Sequence, residues 1–301
     1  MTASVEPPAP RRWQELLRLA LEEDLGPGDV TSRALIPPDR TGAAVVEARQ
    51  ELVVCGLSVA RACFEAVEPR LHFEAATRDG ARVAAGTPLA RVRGPLAGLL
   101  AAERTALNFL MRMCGVASFT RRFVDAVDGT GAAIVDTRKT LPGWRALDKY
   151  ATAVGGAINH RVGLFDGVLL KDNHVALAGG VAAAVKAARA SAPANLRVQI
   201  EVESLEDALA AIEAGADFLL LDNRTPEQAR AIVQRLAGRA LLEASGGIGL
   251  HNVREMAETG VQRISIGALT HSAPAADVAL EILPEEGDEG RPGAAPGGVT
   301  E

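Results

Sequence analysis

The run Asp136-Thr137-Arg138-Lys139-Thr140 brings an acid, a guanidinium and an ammonium together. It follows Ala132-Ala133-Ile134-Val135, an apolar run that reads as a short buried strand, and it stops before the turn signal Pro142-Gly143. A strand therefore delivers these groups together at its C-terminal end. An arginine there can grip a carboxylate or phosphate with a planar fork, and a lysine supplies a compact charge or a nucleophilic amine. Lysine is scarce: Lys139, Lys149, Lys171 and Lys186 are the full set, against many arginines. Where arginine is the default cation, a lysine at a strand end points to chemistry of its own. A solvated loop holding an ion pair is the plain alternative.

The elements that must position this run repeat along the second half of the chain. Strands are expected at 132–135, 167–170, 197–201, 218–221, 240–243 and 263–266, with helices near 145–157, 181–191, 205–214, 226–236 and 252–258. Strands alternating with helices predict a parallel sheet that closes with helices outside. The first strand is not followed by a Gly-x-Gly-x-x-Gly turn, which disfavours an open dinucleotide-binding sheet. In a β/α barrel the C-terminal strand ends carry the chemistry. Here they read Asp136, Arg138 and Lys139; Lys171-Asp172-Asn173-His174; Glu201 and Glu203; Asp222-Asn223; Ser245-Gly246-Gly247; and Gly267. A barrel end without function has no need for this succession of cations, acids and glycines.

The charges have a pattern. Arg138, Lys139 and Lys171, joined by His160 and Arg161, suit a ligand with several carboxylates or phosphates. Glu201 and Asp222 suit Mg²⁺, which takes one or two carboxylates and fills its shell with substrate oxygens. Pairing with the neighbouring cations is their structural alternative. The glycines after the last two strands suit a phosphate held by backbone N–H groups. A sugar bearing a phosphate and a pyrophosphate fits all three features. A Schiff-base aldolase using Lys139 or Lys171, and a non-catalytic sensor of such a sugar, remain as alternatives.

Composition narrows the classes. The 301 residues are 48% apolar, enough for a sizeable core. The net charge of −6, from 32 basic and 38 acidic residues, argues against a general nucleic-acid binder, and 3% aromatics leave little for base stacking. Cys55, Cys63 and Cys114 show neither metal spacing nor a disulfide framework, so reduced buried thiols in the cytoplasm are expected. No apolar run is long enough to span a membrane, and residues 1–10 lack the apolar core of a signal peptide. Residues 1–10 and 285–301, rich in Pro or Gly, are expected to be disordered tails.

The first third reads as a separate α/β unit. A helix is expected at 13–24, ended by Gly26-Pro27-Gly28, with Asp29 to Ser32 as a capping segment in preference to a ligand contact. Strands follow at 42–54 and 71–77, with a helix at 57–67 between them. Residues 79–94 form a glycine-punctuated β segment. It lacks the hairpin lysine of a lipoyl or biotinyl carrier and reads as scaffold. Residues 95–127 form a long helix that carries Glu103, Arg104, Thr105 and Asn108.

Taken together, these motifs resemble the quinolinate phosphoribosyltransferases. The resemblance runs from Glu23 to about Leu283. It rests on Glu23-Asp24-Leu25-Gly26, Gly28-Asp29 and Thr31-Ser32; on residues 103–108 and 136–140; on Asn159-His160-Arg161 and residues 170–174; on Glu201-Val202-Glu203 and Leu221-Asp222-Asn223; and on residues 243–248 and 266–272. It implies a small N-terminal α/β sandwich domain at 11–112, an incomplete β/α barrel at 113–274, and segment 275–284 packing back on the first domain. It implies a homodimer that converts quinolinate and 5-phosphoribosyl 1-pyrophosphate to nicotinate mononucleotide, CO₂ and pyrophosphate with Mg²⁺. Arg104, reaching in from the partner subunit, would hold the quinolinate carboxylates with Arg138, His160 and Arg161. Lys139 and Lys171 would contact either substrate. Glu201 and Asp222 would lie at the ribose and metal, and Ser245, Gly246, Gly247 and Gly267 around the 5′-phosphate.

Overall fold

Alternating apolar positions make the N-terminal half a half-covered sheet. In β1 (Thr41–Ala48), Ala44, Val46 and Ala48 are fully buried while the residues between them are not. Such alternation pins register, because a slip of one residue would turn the whole apolar set to solvent. The structure, a computed structural model, describes residues 5–284. After β1 come β2 (Leu52–Val53), β3 (His72–Ala75), β4 (Arg82–Val83) and β5 (Pro88–Pro95). Strand β12 (Val278–Ile282) returns from the far end of the chain to pair antiparallel with β1, giving a sheet ordered β12-β1-β5-β3. Helices Gln14–Leu25, Leu57–Val67 and the first half of Leu96–Ala126 share the apolar core of this sheet.

The expected strand at 42–54 is two strands, because Arg49 and Gln50 break the ladder at an exposed bend. The capping reading of Asp29 holds. Its Oδ1 accepts from the backbone N–H groups of Thr31 (2.9 Å) and Ser32 (3.0 Å) at the start of helix Val30–Leu35. Of the two expected tails, residues 1–4 and 285–301 lie outside the described residues. Residues 5–10 are described, and the buried indole of Trp13 donates to the Pro8 carbonyl at 2.9 Å.

Helix Leu96–Ala126 joins the two halves. Its 31 residues span about 46 Å at 1.5 Å per residue. Leu99 to Ala117 feed the sandwich core, and Phe123 enters the barrel core. The helix therefore crosses the 112/113 boundary without interruption. The barrel follows, with β6 (Ala133–Val135), β7 (Val168–Leu170), β8 (Val198–Glu201), β9 (Phe218–Asp222), β10 (Leu241–Ser245) and β11 (Arg263–Ser265). Its sheet runs β6-β11-β10-β9-β8-β7, parallel throughout. β6 and β7 are its edges, so the barrel has a seam between its first two strands. In β8 the odd positions, Gln199 and Glu201, face away from the core made by Val198 and Ile200. The same alternation sets Glu243 and Ser245 of β10 opposite to the core residues Leu242 and Ala244. The expected strand end at 243 is corrected: β10 continues to Ser245, and Glu243 lies within the strand.

One close contact fastens the returning C-terminal segment to the long helix. Gly115 sits on the long helix where residues 274–276 cross it, and a Cβ there would lie 2.1 Å from the Pro274 carbonyl oxygen and 3.0 Å from the Ala276 nitrogen. Backbone cannot swing aside as a side chain does. Gly115→Ala is expected to destabilise the protein by about 2–3 kcal/mol, as overpacking does. Chemical denaturation reads this directly, and an unchanged midpoint would show that the crossing segment moves freely.

Candidate active site

The barrel seam is closed by polar groups. Asp136, the residue after β6, is fully buried. Its Oδ1 accepts from Lys149 Nζ at 2.6 Å and from the His160 backbone N–H at 2.7 Å. Its Oδ2 accepts from Asn159 Nδ2 at 2.8 Å and from Thr152 Oγ1 at 3.1 Å. Lys149, itself buried, donates also to the His160 carbonyl at 2.9 Å. Burial pulls the Lys149 ammonium below its ordinary pKa, and Asp136 opposes that pull. Ile158 continues the sheet beside β6: it donates to the Ile134 carbonyl and accepts from the Asp136 N–H. The expectation that Asp136 is presented with Arg138 and Lys139 is thus corrected. The acid turns inward to anchor the seam, and the two cations remain at the mouth.

The other candidates occupy the C-terminal strand ends. Arg138 is half-buried, and its Nε has no hydrogen-bond partner among the described residues. Arg161 lies near enough for mutual repulsion: burial first, then the Arg138 charge, lowers its pKa. The Arg161 side chain is steadied by the Gly167 carbonyl at 3.1 Å. Lys139 is exposed and lies against Gly267, where an added Cβ would meet its Cδ at 2.9 Å. Its carbonyl accepts from Thr270 Oγ1 at 3.0 Å. Lys171 follows β7 directly; its backbone N–H is held by His174 Nδ1 at 3.0 Å, and its ammonium is 3.1 Å from Glu201 Oε1. Glu201 therefore pairs with a cation. Asp222, at the end of the neighbouring strand, is exposed and accepts from Asn223 Nδ2 at 2.7 Å.

The glycine corner lets the chain pass close to Asn223. Gly246 has φ of 88°, and a Cβ on it would lie 2.1 Å from Asn223 Oδ1. Gly247 has φ of 62°, also in the region that disfavours side chains. The Asn223 N–H donates to the Ser245 carbonyl at 2.8 Å, tying the ends of β9 and β10 together. Arg104 stands apart. It is exposed on the long helix, 4.0 Å from Glu103, and among the described residues no hydrogen bond or ion pair joins it to the barrel-mouth groups.

His160 faces inward. Its Nε2 is 2.9 Å from Gln199 Oε1 and 3.6 Å from Glu243 Oε1, and its Nδ1 accepts from the Arg161 backbone N–H at 2.7 Å. Gln199 and Glu243 are both buried. The sequence reading missed Gln199, Glu243 and Lys149 as parts of the site. The signal was there: a glutamine and a glutamate flanked by apolar residues in strands, and a lysine between Leu147 and Ala151 of an amphipathic helix.

Sequence profiles match this architecture in both halves. The profile of the quinolinate phosphoribosyl transferase N-terminal domain covers residues 29–114, and that of the C-terminal domain covers 116–281. The chain belongs to this family. Among its relatives, the carboxylating nicotinate-nucleotide pyrophosphorylase of Mycobacterium leprae (strain TN) is 44% identical over 275 residues, 89% of this chain and 96% of that protein. The protein named probable carboxylating nicotinate-nucleotide pyrophosphorylase in Bacillus subtilis (strain 168) is 37% identical over 89% of this chain and 93% of its own length. The crystal structure of NadC from Streptococcus pyogenes superposes with a TM-score of 0.88 at 35% identity, covering 93% of this chain and all of that one. The sandwich and incomplete barrel are thus the quinolinate phosphoribosyltransferase fold.

Asp136 gives a sharp test of the seam. Asp136→Asn leaves the Lys149 ammonium buried without its counter-charge, which is expected to cost about 3–5 kcal/mol. Replacing both, as Asp136→Asn with Lys149→Met, should recover much of that loss in chemical denaturation. Equal losses in the single and double variants would mean that the pair does not hold the seam.

Proposed function

We propose that the chain transfers phosphoribose from 5-phosphoribosyl 1-pyrophosphate to quinolinate and releases CO₂, forming nicotinate mononucleotide and pyrophosphate. The observation that carries the reading is the barrel mouth of a family member. Arg138, Lys139, Arg161 and Lys171 supply cations there, and Glu201, Asp222 and the Gly246–Gly247 corner stand at the other strand ends. The chemistry matches these parts. The bond from the anomeric carbon to pyrophosphate breaks as the quinolinate nitrogen bonds to that carbon. The sugar passes through a cationic state that a carboxylate from Glu201 or Asp222 stabilises. Arg138 and Arg161 hold the two carboxylates by charge-assisted hydrogen bonds. Lys139 and Lys171 balance the phosphates and the departing pyrophosphate. The carboxylate next to the new pyridinium then leaves as CO₂, its electron pair stays on the ring carbon beside the positive nitrogen, and a proton adds there. Ser245, Gly246, Gly247 and Gly267 frame the 5′-phosphate.

Mg²⁺ fits this donor set. Glu201 and Asp222 end adjacent strands, and no cluster of three metal-ligating side chains occurs among the described residues. Two carboxylates with the remaining positions left to substrate oxygens is the ordinary pattern for Mg²⁺ with phosphates. Bound there, it would neutralise charge on the leaving pyrophosphate. The Lys171 ammonium would give up Glu201 when the substrate oxygens arrive.

We assign the working unit as a homodimer in the cytoplasm, with Arg104 completing the partner's site. Arg104 is exposed and unlinked to its own barrel mouth, and the large apolar side chains of Leu164 and Phe165, close after Arg161, are exposed as well. No helix among the described residues is long and apolar enough to cross a membrane. The three buried free thiols suit a reducing compartment.

Two measurements test these readings. Turnover with Mg²⁺ and 5-phosphoribosyl 1-pyrophosphate should release CO₂ from quinolinate, while nicotinic acid, lacking the second carboxylate, should be a very poor acceptor. Comparable turnover of both acids would end the dicarboxylate reading. For the dimer, Arg104→Ala and Lys139→Ala proteins should each be nearly inactive. Refolded together, about half of the dimers are hybrids with one intact site, so roughly a quarter of wild-type activity should return. A mixture as inactive as its parents, with hybrids confirmed by mass, would place Arg104 within its own chain's chemistry or outside the site.

A further inference from the structure

The barrel interior beneath the mouth is polar where such barrels are usually packed with branched apolar residues. Gln199 and Glu243 project there from β8 and β10, 5% and 1% exposed, and both approach one atom, His160 Nε2. The protonation of that ring follows from its contacts. The Arg161 backbone N–H donates to Nδ1 at 2.7 Å, so Nδ1 carries no proton. Nε2 must then carry one, and it donates to Gln199 Oε1 at 2.9 Å. The same logic fixes the Gln199 amide, since its NH₂ end would face a proton rather than a lone pair. Both ring nitrogens of His160 are therefore used by the protein, and neither is free to hold a substrate carboxylate.

Glu243 brings a second side-chain oxygen to the same ring nitrogen. Its cross-strand neighbour Arg263 lies over the Phe218 ring, 4.5 Å from the centroid. Among the described residues no Lys or Arg pairs with Glu243, and its Oε2 has no donor. A buried carboxylate without a paired cation is costly and persists where it serves the site. Its nearest cation-forming group is the His160 ring, and the carboxylate favours a proton on the facing Nε2.

We propose that Gln199 and Glu243 are positioning residues for quinolinate. They lock the Nε2–H form of His160, whose Nδ1 fixes the Arg161 backbone and so aims the Arg161 guanidinium at the acceptor. This rests on the phosphoribosyltransferase reading given above. It makes His160 an indirect contributor to carboxylate binding and gives the two buried residues a specific effect. The acceptor should feel their loss, and the phosphoribosyl donor should not.

The test uses the full-length enzyme with Gln199→Leu, Glu243→Leu and the near-isosteric Glu243→Gln. Quinolinate KM should rise about tenfold in the two leucine variants, with the donor's KM and the unfolding midpoint nearly unchanged, and Glu243→Gln should recover most of the loss. Unchanged quinolinate KM, or both KM values and the unfolding midpoint shifting together, would overturn the proposal. Should the leucine variants not fold, nitrogen-15 NMR of the unmodified enzyme and of Glu243→Gln decides. With quinolinate bound, His160 should show an unprotonated Nδ1 and a protonated Nε2; a proton on Nδ1 overturns the arrangement. Turnover of quinolinate by the unmodified enzyme is measured first. Its absence would refute the functional reading, whereas the ring's protonation in the free enzyme tests the hydrogen-bond arrangement by itself.

Discussion

A barrel sheet that is not closed by ladder hydrogen bonds must be closed by something else. Here the buried pair of Asp136 and Lys149, at 2.6 Å, ties the end of β6 to residues 158–160, the chain that lies beside that open edge. Taking two charges out of water costs several kcal/mol each, and the pair is sustained by the hydrogen bonds that fill its remaining sites. Asp136 has donors on both oxygens, and Lys149 reaches the His160 carbonyl as well. Placing the chain from 158 to 161 in this way decides where Arg161 emerges and where the His160 ring lies. An apolar pair of equal volume would close the seam at lower cost, but it would not dictate the direction of a backbone N–H. The seam thus exchanges some stability for placement.

A second network reinforces the first from the long helix. Arg112 holds Asp148 through contacts of 3.0 and 3.1 Å and donates to the Thr270 carbonyl at 2.6 Å. Thr270 in turn donates to the Lys139 carbonyl, and Asp148 accepts from the Leu141 N–H at 3.4 Å. Burial pushes the Asp148 carboxyl up and Arg112 opposes it. Asp148 and Lys149 are adjacent, so one helix, Arg145–Val154, steadies the segments on either side of the mouth. Rigidity of this kind is what electrostatic catalysis requires, because dipoles and charges already in place need no reorganisation as charge develops.

Most of the architecture was readable because it is written in periodicity. All six barrel strands stand within a residue or two of their expected positions, and helices 181–191 and 226–236 match in full. Short-range signals also held, as at Asp29. What periodicity could not show was the direction of polar residues. Asp136 follows a strand and precedes two cations, so sequence alone groups it with them, yet its oxygens turn to Lys149, thirteen positions on. Gln199 and Glu243 were hidden for the opposite reason. Each sits in an apolar run, and only the parallel register of β8, β9 and β10 puts both on one face of the barrel. The ion pair of Glu201 with Lys171 was anticipated as the structural alternative to metal binding, and the two roles are compatible if the lysine serves as a stand-in cation.

The use of lysine and arginine follows the same division between fixed and movable charge. Arg138 and Arg161 repel one another and are partly desolvated, an arrangement suited to a ligand that brings two negative groups at a set spacing. A planar fork loses little freedom in binding a carboxylate that does not change during the transfer. Lys139 and Lys171 are exposed, on flexible stems, and one of them lies along Gly267, where any side chain would obstruct it. A compact ammonium on a flexible stem can follow negative charge as it builds on the departing pyrophosphate oxygen when the bond to the anomeric carbon breaks. Three of the four lysines stand in or beside this region, Lys149 buried with Asp136 and Lys139 and Lys171 exposed at the mouth, while Lys186 is exposed on helix Val181–Ser191.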